Sequence, residues 1–283
     1  MRKAKHLFLL ICFLFTAFLV AAQDRVSIAS FNLQIFGQSK VSKVDVLGEI
    51  ASIIRQFDLV AIQEIRNKDE TAILTLMNAV NAEGREYSFI VGPRLGRTNS
   101  KEQYAYIYRE SVFKSVGEPT TWLDDGDLFE REPFLCKFQT VEGNLDFVLV
   151  NIHTKPEDAG TEIGLLSNVM AYASQTYEEP DVLCLGDWNA DGSYYDEAEY
   201  SVLFPMDQYI WIIPNDADTT VAEKSNAYDR MAGTMTMKED WTGDWGVLRF
   251  DQFPSVAVKG LKPKDISDHF PIWAVLYTTK DTD

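Results

Sequence analysis

Asp187 and Asn189 stand two residues apart where the apolar run Val182-Leu183-Cys184-Leu185 stops at Gly186. In an extended segment, side chains at i and i+2 point to one side. A carboxylate and an amide would therefore emerge together at the end of a buried strand, and sheets covered on both faces bind ligands beyond such ends. Asp, Asn and Gly also favour turns, so this stretch by itself reads equally well as a loop. Two histidines add weight. His153 closes the strand-like run 147–152, and His269 follows Ile266-Ser267-Asp268 and leads into Phe270-Pro271-Ile272. Imidazoles beside Asp, Asn and Thr can exchange protons near neutral pH, although a lone His in such a place is more often structural. Glu64 ends another buried run, 58–65, an unusual place for a carboxylate unless the acid is wanted. Asn32 lies near the end of the alternating run 26–33.

These groups sit in a chain of 283 residues with no internal repeat, enough for a full core and suited to one large domain. Arg2, Lys3 and Lys5 precede an apolar run over 7–20 and then Val20-Ala21-Ala22, the order of a secretory signal peptide. The run is short for a membrane span and no stop-transfer pattern follows. The expectation is a signal peptide over 1–22, a single domain over 23–283, and a secreted product, extracellular or periplasmic, without stable membrane association. Net charge is −17, and loss of the leader would take it to −20, with 23 basic residues against 43 acidic ones. Such a chain has no general attraction for polyanions, so any nucleic-acid contact must be local, metal-assisted or both. Cys136 and Cys184 remain after cleavage, both in apolar runs where cysteine serves as a small buried hydrophobe. A disulfide between them stays open.

The elements that must position these residues follow from periodicity. Strands are expected over 26–33, 58–65, 87–91, 104–108, 134–138, 145–152 and 182–189; residues 211–213 and 227–231 precede a loop-rich region, and the chain closes on the run 267–276. Helical spacing covers 44–57, 70–82 and 159–176. The basic loop Gly92-Pro93-Arg94-Leu95-Gly96-Arg97 reads as a solvated turn or a face for phosphate. Residues 121–132 read as an acidic, turn-rich segment, and Trp241 and Trp245 as a buried aromatic pair in a loop-rich region. A sheet sandwich with helices on its outer faces fits this order.

Phe31-Asn32, Gln63-Glu64, Arg131-Glu132-Pro133, His153-Thr154, Gly186-Asp187-Trp188-Asn189-Ala190, Tyr228-Asp229-Arg230 and Ser267-Asp268-His269-Phe270-Pro271 occur in that order. With them the chain resembles the DNase I branch of the endonuclease/exonuclease/phosphatase superfamily over nearly all of residues 24–277. The resemblance implies an α/β (α+β) fold, a four-layered sandwich of two packed, mainly antiparallel β-sheets flanked by helices. It also implies a secreted, metal-dependent endonuclease that hydrolyses DNA; the expected substrate is the double strand, and the expected state a monomer with no protein partner.

Hydrolysing a phosphodiester needs an activated water, charge stabilisation on the phosphoryl oxygens and help for the leaving oxygen. Hard oxygen ligands suit Mg²⁺ (or Mn²⁺), and the lack of a Cys/His cluster argues against zinc. By the resemblance, Glu64 and Asn32 hold the metal with Asp268 nearby, and His153 and His269 form the acid/base pair. Asp187 and Asn189 position the attacking water and the phosphate. Glu102 would orient His153 and Asp229 would orient His269. Arg131 and Tyr194 would touch scissile-phosphate oxygens, and Arg66 would enter the minor groove. The turn at 124–127 is a candidate for structural Ca²⁺ through Asp125, Asp127 and Glu132, against a plain solvated turn.

Three departures stand out. A disulfide common in this branch joins the loop after Gly-Asp-X-Asn to the loop before Tyr-Asp-Arg, positions held here by Gly192 and Asn226. A small Cys loop ahead of Arg-Glu-Pro is missing, and the tyrosine that stacks in the minor groove aligns with Ser100. That last change weakens a strict double-stranded preference. The alternatives are a phosphoesterase of the same superfamily acting on lipid, inositol or nucleotide phosphates, since fold does not fix substrate, and a catalytically silent binding module. Retention of both histidines and all the acids argues against the second.

Overall fold

Side chains of β1 (Arg25–Phe36) divide by parity: Ala29 and Phe31 pack with helices, while Val26 and Ile28 pack against a second sheet. β2 (Leu59–Ile65) is buried at every position, as expected of a strand covered on both faces. The computed structural model describes residues 23–196 and 207–283, so the expected signal peptide lies outside the described residues.

The first sheet runs β11 (Trp241–Val247), β12 (Ile272–Tyr277), β1, β2, β4 (Gln103–Arg109) and β3 (Tyr87–Val91). The second runs β5 (Phe113–Thr121), β6 (Phe134–Thr140), β7 (Asp146–His153), β8 (Val182–Asp187), β10 (Asp229–Thr234) and β9 (Tyr209–Trp211). Between them lies an aromatic core in which Tyr106 stacks on Phe134 at 5.4 Å and meets Phe138 edge-on at 5.4 Å. Helices α2 (Val44–Ile54) and α3 (Ala72–Val80) cover the outside of the first sheet, and α4 (Ala159–Tyr177) covers the second. The four expected layers are present.

One feature of the topology decides where chemistry can occur. β1–β2 and β7–β8 are parallel pairs at the centre of their sheets, and the other pairings are antiparallel. Both central pairs end at one pole, where Asn32 lies opposite Gln63 and His153 opposite Asp187. Their antiparallel neighbours begin there: β4 just after Glu102, β10 at Asp229, β12 just after His269. Motifs scattered over the chain are thus gathered at one end. Beneath them, Gln63 Nε2 donates to Asn151 Oδ1 at 2.7 Å and to Ser30 Oγ at 3.0 Å, a buried polar bridge between the sheets.

The pole is also where the backbone is least regular. Register shifts interrupt β1–β2 between Asn32 and Phe36 and β2–β4 between Ile62 and Ile65. Gln34, Ile35 and Glu64 have φ of 46°, 52° and 61°, a conformation that costs non-glycine residues free energy and clusters at functional sites. Such bulges re-aim side chains, here the Glu64 carboxylate. Gly186 has φ 145°, and a Cβ there would lie 1.9 Å from the Ile152 carbonyl oxygen.

Some expectations require correction. β5 was not anticipated, because Gly117 and Pro119 break its alternation; as an edge strand it tolerates both. Trp241 and Trp245 lie on edge strand β11 rather than in a buried loop, with Trp241 half-buried and Trp245 37% exposed. Cys136 and Cys184 are both free and buried. Among the described residues no helix is long and apolar enough to cross a membrane.

Candidate active site

His153 ends β7, and its ring is fixed from behind: Nδ1 lies 2.8 Å from Glu102 Oε2. Its backbone N–H donates to Tyr104 Oη at 2.9 Å. Glu102 Oε1 accepts from Arg66 at 2.6 Å and Arg131 at 3.2 Å. Burial works against ionising Glu102, yet His153 and the two guanidiniums hold its carboxyl down at about 2. His269 repeats the pattern from the other sheet. Its Nδ1 lies 2.8 Å from Asp229 Oδ2. Burial disfavours the imidazolium, but Asp229 and Asp187 outweigh it and push His269 well above the ordinary histidine range.

The two rings turn their free nitrogens toward a common point. His153 Nε2 and His269 Nε2 lie 3.5 Å and 3.4 Å from Asp187 Oδ2. Asn32 Nδ2 donates to the same oxygen at 3.0 Å, and the Asn189 N–H donates to Asp187 Oδ1 at 3.0 Å. Asp187 is buried, which opposes its charge, but the two imidazoles and these donors keep its carboxyl below the usual range. Asn189, with φ 48°, donates from its side chain to the Thr154 carbonyl at 3.0 Å.

Asn32 bridges to a further carboxylate. Its Nδ2 lies 3.1 Å from Glu64 Oε1, while its Oδ1 accepts from Gln34 N at 2.8 Å. Glu64 Oε2 accepts from Ile35 N at 2.8 Å, which explains why the strained turn is held. Asp268 Oδ1 is buried without a hydrogen-bond partner, 3.9 Å from His269 Nε2, and Asp229 Oδ1 is likewise unpartnered. Asp187, Asp229 and His269 bring ligand atoms within 4.8 Å of one another. Orphaned carboxylate oxygens beside other hard donors fit a divalent cation that prefers oxygen.

The sequence profile described as the Endonuclease/Exonuclease/phosphatase family matches residues 29–269. The chain belongs to this family. Deoxyribonuclease-1 of Gallus gallus is 36% identical over 269 residues, 91% of this chain and 93% of that protein. Deoxyribonuclease-1 of Bos taurus is 31% identical over 261 residues, 89% of this chain and 92% of that one. A crystal structure of an endonuclease/exonuclease/phosphatase family protein from Bacteroides thetaiotaomicron shares the fold, with a TM-score of 0.65 at 18% identity over 89% of this chain and 97% of that one. These relationships put the chain on the DNase I-like branch and make it a hydrolase of phosphodiester bonds.

Within this family member, the remaining expected residues fall into distinct places. Arg131 is buried and donates to the carbonyls of His153 and Thr154 at 3.0 and 2.9 Å, so it also clamps the backbone that carries the histidine. Arg66 sits between Glu64 and Glu102, with Nη1 on Ser100 Oγ at 3.2 Å. Tyr194 is exposed and packs near Tyr228, whose ring lies 6.3 Å from that of His269. Gly192 and Asn226 are indeed neighbours, and Asp191 Oδ2 accepting from Ala227 N at 2.8 Å joins their loops where a disulfide is lacking.

Two surface stretches meet partners that the sequence did not indicate. Arg97 turns to the acidic loop, pairing with Asp127 at 3.0 Å and Glu130 at 3.9 Å, rather than standing free for phosphate. Among the described residues, Asp125, Asp127 and Glu132 are not brought together as a metal-holding group; Asp125 and Asp127 are exposed. The ion pair with Arg97 already answers the charge of Asp127.

Sequence reasoning also missed residues that hold the site. Lys40, on the short helix α1 (Gln38–Val41), donates to the carbonyls of Leu33, Gln34 and Ile266 at 2.8, 2.7 and 2.9 Å. It ties the strained turn of β1 to the segment that carries Asp268 and His269. Burial lowers its pKa to about 8. Ser267 Oγ donates to the Asn32 carbonyl at 2.6 Å and accepts from His269 N at 3.1 Å. Its position two residues before His269 was the available signal; nothing in the sequence pointed to Lys40.

Proposed function

We propose that this protein is an exported, metal-dependent endonuclease that hydrolyses DNA phosphodiester bonds by attack of water, with His153 and His269 as the acid/base pair. The observation that carries this reading is the convergence of two carboxylate-backed imidazoles on Asp187 Oδ2. DNA as substrate is supported by relatives named Deoxyribonuclease-1.

The residues divide the reaction between them. His269, its charge favoured by Asp229 and Asp187, enters as the imidazolium and gives its Nε2 proton to the leaving oxygen. His153 Nε2 takes the proton of the attacking water. Glu102 on Nδ1 holds that ring in position and stabilises the charge it gains. Asp187, between the two nitrogens, orients the water, and Asn189 fixes Asp187 through its backbone N–H. Glu64, Asn32 and Asp268 would hold Mg²⁺ or Mn²⁺, which when bound neutralises charge on the phosphoryl oxygens. Arg131 and Tyr194 face the phosphate, and Arg66 at the rim meets the minor groove. The protein acts on the double strand as a monomer, and the leader over 1–22 directs it out of the cell.

The test is nicking of supercoiled plasmid by residues 23–283 with Mg²⁺, with Mn²⁺ and with EDTA. Metal-dependent nicking supports the reading. A folded protein that leaves plasmid intact, yet cleaves a lipid, inositol or nucleotide phosphate, would replace DNA by that substrate.

A further inference from the structure

At the end of β8 opposite Asp187, acidic residues from distant parts of the chain crowd together. Glu179 and Asp181 precede β8, Asp240 precedes β11, and Asp281 and Asp283 follow β12. Glu179, Asp181 and Asp283 each bring a carboxylate oxygen within 4.8 Å of the others. Lys137 meets the rim of this group, with Nζ 2.6 Å from Glu179 and 2.8 Å from Asp146.

Some of these acids are satisfied. Glu179 Oε1 accepts from Asp181 N at 2.9 Å, and Asp281 accepts from the backbone N–H groups of Asp146 and Asp283. Asp181 and Asp240 are only partly so: Thr236 reaches Asp181, and the two carboxylates lie against each other, a contact that repels unless a proton or a cation stands between them. They are 1% and 2% exposed, and in each Oδ1 is buried without a hydrogen-bond partner. A buried carboxylate oxygen that gives up water without replacement is costly, and like charge beside it adds to the cost. A proton or a cation must answer it.

We propose that Glu179, Asp181, Asp240 and Asp283 bind a hard divalent cation of the Ca²⁺ class, which joins the two sheets at the pole remote from the catalytic residues. Carboxylates from separate segments, with no thiol or imidazole among them, match the variable oxygen coordination of Ca²⁺ better than the strict octahedron of Mg²⁺. The ion would connect the start of β8, in one sheet, with the lead into β11 and the chain beyond β12, in the other. Without it the acids must share protons: burial, then Asp240 and Asp281, holds Asp181 up to about 7. Burial, with Asp281 and Asp283, holds Asp240 up to about 6.

The test is thermal unfolding of residues 23–283 at pH 7.5, in chelator and in millimolar Ca²⁺, together with calorimetric titration by Ca²⁺ alone. Ca²⁺ is expected to raise the Tm by several degrees, since a ligand of the folded state alone stabilises it by mass action. Asp181→Asn and Asp240→Asn should lose that rise, and in chelator should melt at or above the wild type because a repelling charge is gone. Asp283→Asn, at an exposed residue that the fold does not need, should reduce the rise in a protein that certainly folds. A wild type indifferent to Ca²⁺, or an equal rise in every variant that folds, would overturn the proposal. The readout is stability, so it stands or falls independently of nuclease activity.

Discussion

His153 and His269 face each other across a single carboxylate oxygen, Asp187 Oδ2, at 3.5 and 3.4 Å. Each ring is backed by its own acid, Glu102 or Asp229, at 2.8 Å. The two halves of the sandwich each contribute: Glu102 and His269 flank strands of the first sheet, His153, Asp187 and Asp229 belong to the second. Correct packing of the sheets therefore sets the spacing of the proton-transfer groups.

Asp229 is expected to set the alkaline side of the pH profile. It helps hold His269 well above the ordinary histidine range. Asp229→Asn should lower that pKa, so the protonated acid is lost at a lower pH and the alkaline limb of kcat/KM moves down. At neutral pH the rate should fall by about 10²-fold or more. An unmoved alkaline limb would assign the acid to another group.

Glu102→Gln should show its cost in stability at neutral pH. The folded carboxyl is held at about 2, below its ordinary value of 4.5. Its stabilisation is therefore complete above 4.5 and disappears as pH falls through about 2. Denaturant unfolding should find the variant weaker by roughly 2 kcal/mol at pH 7, with the difference shrinking in acid.

Glu64→Gln should separate metal binding from the proton chemistry. The amide keeps the size of the side chain but removes the charge offered to a hard cation. More Mg²⁺ should be needed for half-maximal nicking, by about tenfold or more, while the fold, read by circular dichroism, is retained.

Gly186→Ala is expected to damage the fold itself. The new Cβ would fall 1.9 Å from the Ile152 carbonyl oxygen, at a φ of 145°. Backbone on both sides has no room to give, so a loss above about 3 kcal/mol is expected, visible as a large drop in Tm.

Much of this site was legible from residue types at strand ends. Asp187 after its apolar run, His153 after its strand, and Glu64 at the close of β2 all lie at the pole where the central parallel pairs end. What sequence could not supply were partners fixed by tertiary folding alone. Lys40 reads as an ordinary surface lysine until three carbonyls surround it. Arg97 reads as a free cation until Asp127 and Glu130 meet it. Edge strands β5 and β11 escaped notice because Gly117, Pro119, Gly243 and Gly246 interrupt their pattern, and an edge need not bury a continuous face. The acids around Asp181 are spread over about 100 residues of chain, with no local pattern to join them.

The most direct test is the rate of supercoiled-plasmid nicking in Mg²⁺ by the wild type, His153→Ala, His269→Ala and the double variant. Each single substitution should lower the rate by about 10²–10⁴-fold. The double variant should be little worse than either, because groups acting as a unit are not additive. EDTA should stop the wild type. If either single variant nicks at the wild-type rate, or if the double loss equals the product of the singles, the two imidazoles do not work as one pair around Asp187.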